Sequence, residues 1–552
     1  MRSGHPVLIA LAGAGLVFGS ARADEPAAPP ASAPAVAPAV PQAAPAPNAT
    51  ATAPAPAPAT PAPTPAQPTP ATPPPAPAPA LPAATAPVAA PTPAPAAAVT
   101  PPPAPAAAPT PAVPPHVVDS LAALQAAISA AVAGDTIILK NGVYPAAAAI
   151  TIDRPGKAGQ PITIAAESVG GADISGANGF HVVAPAAYVT VSGFVFSHAS
   201  GNATIDVDTS GVRFTRNVFR CPGDGTYLTV AGDDAQVDHN EFAEKAGAGP
   251  MLAVSGSGSQ IARRVWIHHN YFHDLANAGA EGAQMLRFGL SSSHGQSTGS
   301  GLVEHNLFAR SQGVSDLISN RSSGNTYRYN TFVDSPNAHV TLQLGDDCLV
   351  YGNYFRNTEG LRIYGSRHQV FSNYFEKNYI ALDLGNGAPD PEDGSPNTHA
   401  RPDNCLIAFN TFLENNTHIQ MSGRKPVALG ASNTSFANNL FVGGGPAARF
   451  RGPVTGAVWS GNLVWNIANI GDLPPEGCLR ADPMLSAGPD GIQRPLPGSP
   501  ALGSSVGTFL VVTVDMEGRP RPEKKSRGAD EPDAGPAVAR FLTAGEVGPA
   551  AP

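Results

Sequence analysis

Asn306-Leu-Phe308, Asn330-Thr-Phe332, Asn353-Tyr-Phe355 and Asn373-Tyr-Phe375 repeat one short pattern at intervals of 20 to 24 residues. The same Asn-x-Phe pattern occurs at Asn217, Asn240, Asn270, Asn410 and Asn439, with a weaker form at Asn462. A period of this size marks stacked coils rather than a globular core. The residues between are rich in Val, Ile, Thr and Gly, which reads as short strands with tight turns. Each Phe is expected to point inward. Each Asn is expected at a turn, where it tolerates left-handed backbone and can hydrogen-bond from coil to coil. The fold class expected is all-β, a parallel β-helix solenoid. Arg321 lies nine residues before Asn330, Gln343 ten before Asn353 and Arg362 eleven before Asn373. At nearly one phase they are expected to form a row, with ~4.8 Å between neighbouring strands. A row of Arg, Gln and Arg suits an acidic chain, and Arg287 and His368 bracket it. Longer intervals, such as 270 to 306 and 373 to 410, imply loops that leave the stack and shape a groove.

The rest of the chain builds or delivers this face. Residues 1–23 read as a signal peptide: Arg2 and His5 precede an apolar run from Val7 to Phe18, which ends at Ala21-Arg22-Ala23. The run is too short to span a bilayer, and no Cys follows it to carry a lipid. Residues 24–114 are almost entirely Ala, Pro and Thr. They cannot bury a core and read as a disordered spacer. An exported protein, periplasmic or secreted, with no membrane span after cleavage is expected. Ser120 can cap a helix carrying Leu121, Leu124, Ile128 and Val132, placed to close the open end of a solenoid. The β-helix is expected over 115–510, and 511–552 as an extension whose last twenty residues are loose. The net charge of −9 argues against nucleic acid as a partner. Of the four Cys, Cys348 and Cys405 fall about two coils apart, too far for a disulfide. Free, buried thiols are expected there, and a monomer overall.

Three stretches carry a family resemblance. They are Gly134-Asp135-Thr-Ile-Ile-Leu139 with Asn141-Gly142-Val-Tyr144, then Ile318-Ser-Asn320-Arg321-Ser322 with Asn325 to Phe332, and Leu361-Arg362-Ile363-Tyr364-Gly365 with His368. Over roughly 116–531 the chain resembles polysaccharide lyase family 6, the group that contains chondroitinase B and many alginate lyases. The resemblance implies a right-handed parallel β-helix that binds an anionic uronate polymer, alginate or a glycosaminoglycan, along its side and cleaves it by β-elimination. That chemistry needs the uronate carboxylate neutralised, often by calcium. A base then takes the C5 proton, and an acid assists departure of O4.

The family's Lys base falls at Arg321 and its Arg at Gln343, with one residue inserted near Pro336-Asn337. Its two acidic calcium positions fall at Val314 and Asp316, and its Asn-Gly-Gly-Glu stretch at Glu281-Gly282-Ala283-Gln284. The calcium set is thus reduced to Glu281 and Asp316. Arg321, Gln343 and His339 are the catalytic candidates, since His serves as acid or base near neutral pH. Arg287, Arg362, His368 and Lys245 are the substrate-binding candidates. Two other functions stay open at this level: a non-catalytic uronate-binding β-helix, and a C5-epimerase, which shares the proton abstraction.

Overall fold

The computed structural model describes residues 114–199, 201–276, 282–313, 316–532 and 535–552. The expected signal and, but for its last residue, the spacer lie outside them, as do Glu281 and Val314. Among the described residues three long parallel sheets, of 14, 12 and 14 strands, run side by side. Each coil gives one strand to each sheet. Leu302–Glu304, Leu307–Ser311 and Asp316–Arg321 form one coil, and Thr326–Arg328, Thr331–Ser335 and His339–Leu344 the next. This is the expected parallel β-helix.

Two ladders hold the stack. The repeat phenylalanines point inward, and from Phe219 to Phe441 successive rings stack with centroids 4.7–5.0 Å apart. The repeat asparagines are fully buried. Asn330 is typical: its Nδ2 donates to Asn353 Oδ1 at 3.0 Å, and its Oδ1 accepts from the Asn306 side chain and backbone N–H at 3.0 and 3.1 Å. The left-handed position is not the Asn but the residue before it: His305 and Tyr329 have φ of 52° and 54°. The Asn amide needs ordinary backbone to align with its neighbours, so the tight bend is made one residue earlier.

The ends close as follows. Helix Leu121–Ala130 is capped by Ser120, whose side chain accepts from Ala123 N–H. It buries Leu124 and Ile128, and Gln125 is bonded to the Thr151 backbone in both directions at 2.9 Å. Val132 lies past the helix end and is 60% exposed, so the expected apolar stripe stops one turn early. The last residues are not loose where they are described. Leu542 and Val547 bury against Leu307, and Arg216 Nη1 donates to the carbonyls of Pro549 and Ala551. They cover apolar side chains such as Tyr271 and Val333 that one sheet turns outward. All four cysteines are free, and burial pushes the Cys348 and Cys405 thiols up to about 12. No helix among the described residues is long and apolar enough to cross a membrane.

Candidate functional site

The outer face of the twelve-stranded sheet carries the candidate residues, and its register corrects the expected row. Cross-strand partners run Arg287, Ser319, Thr341, Arg362, Asp383, Gln420, Arg449. Arg362 therefore aligns with Arg287, not with Arg321 and Gln343. Counted back from the next Asn, its true counterpart is Ser319, eleven residues before Asn330 as Arg362 is before Asn373, whereas Arg321 is nine before Asn330. Separately, the ladder between Asp316–Arg321 and His339–Leu344 is irregular at two places. Asp316 pairs with His339 and Ile318 with Val340, so Leu317 is extra on one strand; Asn320 pairs with Leu342 and Arg321 with Leu344, so Gln343 is extra on the other. Such bulges re-aim side chains locally.

Arg321 and Gln343 meet across this bulge. Arg321 Nε donates to Gln343 Oε1 at 2.9 Å, and Ser319 Oγ donates to the same oxygen at 3.4 Å. Gln343 Nε2 has no protein partner among the described residues. Beneath them Asn320 is fully buried: it donates to the Ser322 and Leu344 carbonyls and accepts from Tyr327 Oη and Asn325 Nδ2. This network fixes the strand end that presents Arg321. Gly289, at φ 88°, lies under Arg321, where an added Cβ would fall 2.8 Å from the Arg321 carbonyl.

Arg287 and Arg321 differ from their neighbours. Arg328, Arg356, Arg362 and Arg367 each hold a carboxylate at 2.6–2.8 Å. Arg287 and Arg321 form no ion pair among the described residues; Arg287 instead donates to the Gly289 carbonyl at 3.3 Å. Both are half-buried. Burial lowers both guanidinium pKa values, the charge of Arg321 adds to the effect at Arg287, and Asp316 opposes it at each. Asp316 is the one described acid whose charge is felt at both, so two guanidiniums share one nearby carboxylate and this part of the face carries more positive than negative charge.

The other candidates fare differently. Arg362 Nε holds Asp383 Oδ2 at 2.8 Å, so its charge is already answered by a carboxylate. His368 is fully buried; its Nδ1 accepts from Cys348 N–H at 3.1 Å, and its Nε2 donates to the Tyr364 carbonyl at 2.8 Å. Burial lowers its pKa, so it is a neutral structural residue and not a substrate contact. Lys245 is also fully buried, in another sheet; its Nζ donates to the Gly225 carbonyl at 2.8 Å and sits 4.6 Å from the Tyr227 ring centroid. It reaches no groove. His339 starts the strand that ends with Gln343 and Leu344, four residues or roughly 13 Å from Gln343 at ~3.3 Å per residue. Its Nδ1 lies 3.1 Å from Glu359 Oε2, and Glu359 is held below the usual carboxylate range mainly by that contact. It is too far away to act at O4 beside Arg321. Three residues at the site escaped the sequence reading: Asp383, Tyr364 and Arg424. Only the coil interval of 21 residues between Arg362 and Asp383 could have signalled the first.

Calcium does not fit at Asp316. Asp316 Oδ1 accepts from Thr341 Oγ1 at 2.5 Å, and two guanidiniums lie near it. Val314 offers no side-chain oxygen where the second acid is expected, whereas calcium takes six to eight oxygens. Elsewhere Asp515, Glu517 and Asp530 bring three buried carboxylates within 4.8 Å of one another and could hold a metal. Arg519 Nη1 sits among them, in contact with Glu517 and 3.5 Å from Asp530, and Arg494 holds Glu517 at 2.7 Å.

A family model described as Chondroitinase B matches residues 118–440. Among solved structures, the PL6 family alginate lyase AlyGC aligns at 25% identity with a TM-score of 0.62, over 69% of this chain and 55% of that one. A mannuronic acid specific polysaccharide family 6 lyase from human gut microbiota aligns at 23% identity and TM-score 0.57, over 66% and 91% of the two chains. A PL6 alginate lyase in complex with a trisaccharide aligns at 19% identity and TM-score 0.57, over 70% and 90%. The chain spans little more than half the length of AlyGC. A search of the curated proteins finds no match.

Proposed function

The chain belongs to the chondroitinase B family, and from that premise we propose that it is an exported lyase that binds an anionic uronate polysaccharide on the Arg287–Arg321 face and cleaves it by β-elimination. Alginate is the first substrate to test, because two of the solved structures named above are alginate lyases and the third is a mannuronic acid specific lyase. The observation that carries the reading is the pair of half-buried guanidiniums without ion-pair partners among the described residues. Arg287 faces the uronate carboxylate and neutralises it, the task calcium performs in many family members. Neutralisation acidifies the C5 proton. Arg321 takes that proton in its neutral guanidine form, having first given its own proton to solvent, as the C–H electrons move toward the carboxylate; burial lowers its pKa and so favours that form. The C4–O4 bond then breaks and a C4=C5 double bond forms. Gln343 Nε2 hydrogen-bonds the departing oxygen, and solvent supplies its proton, since an amide cannot.

A second reading is favoured by one observation: Arg321 and Gln343 stand where the family has Lys and Arg, and a guanidinium starts from a pKa above ~12. On that reading the face binds uronate without cleaving it. Ultraviolet absorbance of the new double bond decides. Alginate, polymannuronate, polyguluronate and dermatan sulfate are offered with calcium and with chelator. The lyase reading expects growing absorbance that Arg321→Ala abolishes and chelator leaves unchanged. A flat trace together with measurable binding moves the assignment to the second reading.

A further inference from the structure

Beyond Arg362 the same face carries a second group of cations that the reaction does not use. The register continues from Arg362 through Asp383 and Gln420 to Arg449. Arg451 follows in that segment, and its N–H pairs with the Met421 carbonyl at 3.0 Å, so the coil-to-coil pairing persists there. Arg424 comes from the loop after strand Thr417–Met421, with Nε held on the Asn386 carbonyl at 2.5 Å. Its charge is felt at both Tyr364 and His399.

Between the two groups of cations the floor is aromatic and open. Tyr364 packs edge-on against His399 with centroids 5.0 Å apart. It also covers Gly385, where an added Cβ would fall 2.4 Å from the tyrosine ring. An aromatic ring flanked by cations is what a sugar face with an adjacent carboxylate would meet.

The charges at this end are unanswered. Arg449 and Arg451 are exposed and Arg424 is half-buried. None of the three enters an ion pair among the described residues, whereas Arg356, Arg362 and Arg367 on the preceding coils all do. The carboxylate placed next to them, Asp472, is bonded to the Phe450 N–H at 2.6 Å. On a chain of net charge −9 this is a local reversal of sign. Five strand steps separate Asp316–Arg321 from Ala448–Phe450, or roughly 24 Å at ~4.8 Å per step.

We infer that Arg424, Arg449 and Arg451 form a second uronate subsite, occupied by the polymer whose reacting unit lies at Arg287 and Arg321, with Tyr364 as the platform between. The polymer then runs along the stack rather than across it, and affinity depends on chain length. This inference rests on the uronate-binding reading of the site.

The test is calorimetric titration of the full chain with an oligouronate disaccharide and decasaccharide, at low and high salt. The double variant Arg449→Gln, Arg451→Gln is compared with wild type, and equal melting temperatures confirm that both fold. Wild type is expected to prefer the decasaccharide by more than about tenfold, and the double variant to lose about tenfold of that preference, with less salt dependence. An unchanged preference in the double variant, while Arg287→Gln weakens both ligands, would overturn the distal subsite and leave the uronate reading standing. Equal weakening of both ligands by the double variant also overturns it. No binding of either ligand by wild type overturns both readings.

Discussion

Replacing Asn330 by Ala tests whether the buried amide ladder carries the fold. The substitution deletes four hydrogen bonds: to Asn353 Oδ1 at 3.0 Å, to the Val303 carbonyl at 2.9 Å, and from the Asn306 amide and N–H at 3.0 and 3.1 Å. The losses are not equal. Asn306 Nδ2 keeps the carbonyls of Ile267 and Glu304, and Asn353 Oδ1 keeps the Asn330 N–H. The Asn306 N–H loses its side-chain acceptor in a position closed to water. A typical buried hydrogen bond contributes ~1 kcal/mol net, and an orphaned donor costs ~1–3 kcal/mol. The expected destabilisation is therefore about 3–5 kcal/mol. Asn357 is the control: its amide bonds Asp334 at 3.1 Å in an exposed position. Asn357→Ala should cost about 1 kcal/mol, nearly all of it from placing Ala at the left-handed φ of 55°. Urea midpoints at unchanged slope give both values. Equal midpoint shifts for the two variants would refute the reasoning, because the ladder would then be a by-product of coil stacking rather than a support.

Further outcomes follow from the same contacts. Burial brings the Lys245 pKa down to about 8, while the unfolded chain keeps the ordinary value of ~10.4. Between these the unfolded state binds the extra proton, so stability should rise as pH climbs from about 8 toward ~10.4. Lys245→Met should remove that rise in urea midpoint; a rise of the same size in the variant would assign it to other groups. Asp383→Asn removes the charge that holds Arg362 and should tighten uronate binding roughly threefold, close to the worth of a partly exposed pair; weaker binding in a titration would mean that Asp383 itself serves the ligand. Leu542→Ala opens the small cluster with Leu307 and Val547 and should cost about 2 kcal/mol. Amide exchange in the last residues should then rise while the central coils stay protected.

The fold was legible because one residue type recurs at one structural phase. Asn and Phe repeat wherever a coil turns, and the Asn-x-Phe pattern itself returns after each loop even where the interval lengthens. The face was half legible. Arg321 and Gln343 lie in adjacent coils with short connections, so counting back from the next Asn brought them together. Arg362 was misplaced because the three residues lie nine, ten and eleven before their next Asn, and a period-two strand turns such one-residue offsets into different partners: Arg362 aligns with Thr341 and Ser319 instead. Lys245 and His368 were misread for another reason. Polar residue types suggest solvent, yet each is buried with a backbone partner from the preceding coil, the Gly225 carbonyl for Lys245 and the Cys348 N–H for His368, and only coil closure supplies those. Asp383 was passed over because Ile380–Leu384 otherwise reads as core. The docked tail escaped because Leu542 and Val547 lie in an Ala-, Gly- and Pro-rich stretch, with no periodicity to announce them.

Replacing calcium and lysine by two arginines should leave a specific kinetic signature. A metal bound through a dedicated oxygen set polarises the carboxylate strongly, and a neutral lysine is a competent base beside it. Two guanidiniums supply charge instead, and they supply it before the substrate arrives. Burial first, and the charge of Arg321 second, lower the Arg287 pKa, so an arriving carboxylate relieves a cost already present. That relief is available to the ground state as well as to the transition state. Interactions shared by both lower KM without raising kcat. The expected enzyme therefore binds uronate tightly and turns it over slowly. Arg321→Lys restores a base of lower pKa and should raise kcat, while KM rises as the rigid fork onto Gln343 is lost. Steady-state absorbance kinetics on both proteins decide the matter. A wild type with high kcat, slowed by the Lys substitution, would show that Arg321 is already matched to the proton transfer and that the low-turnover argument is wrong.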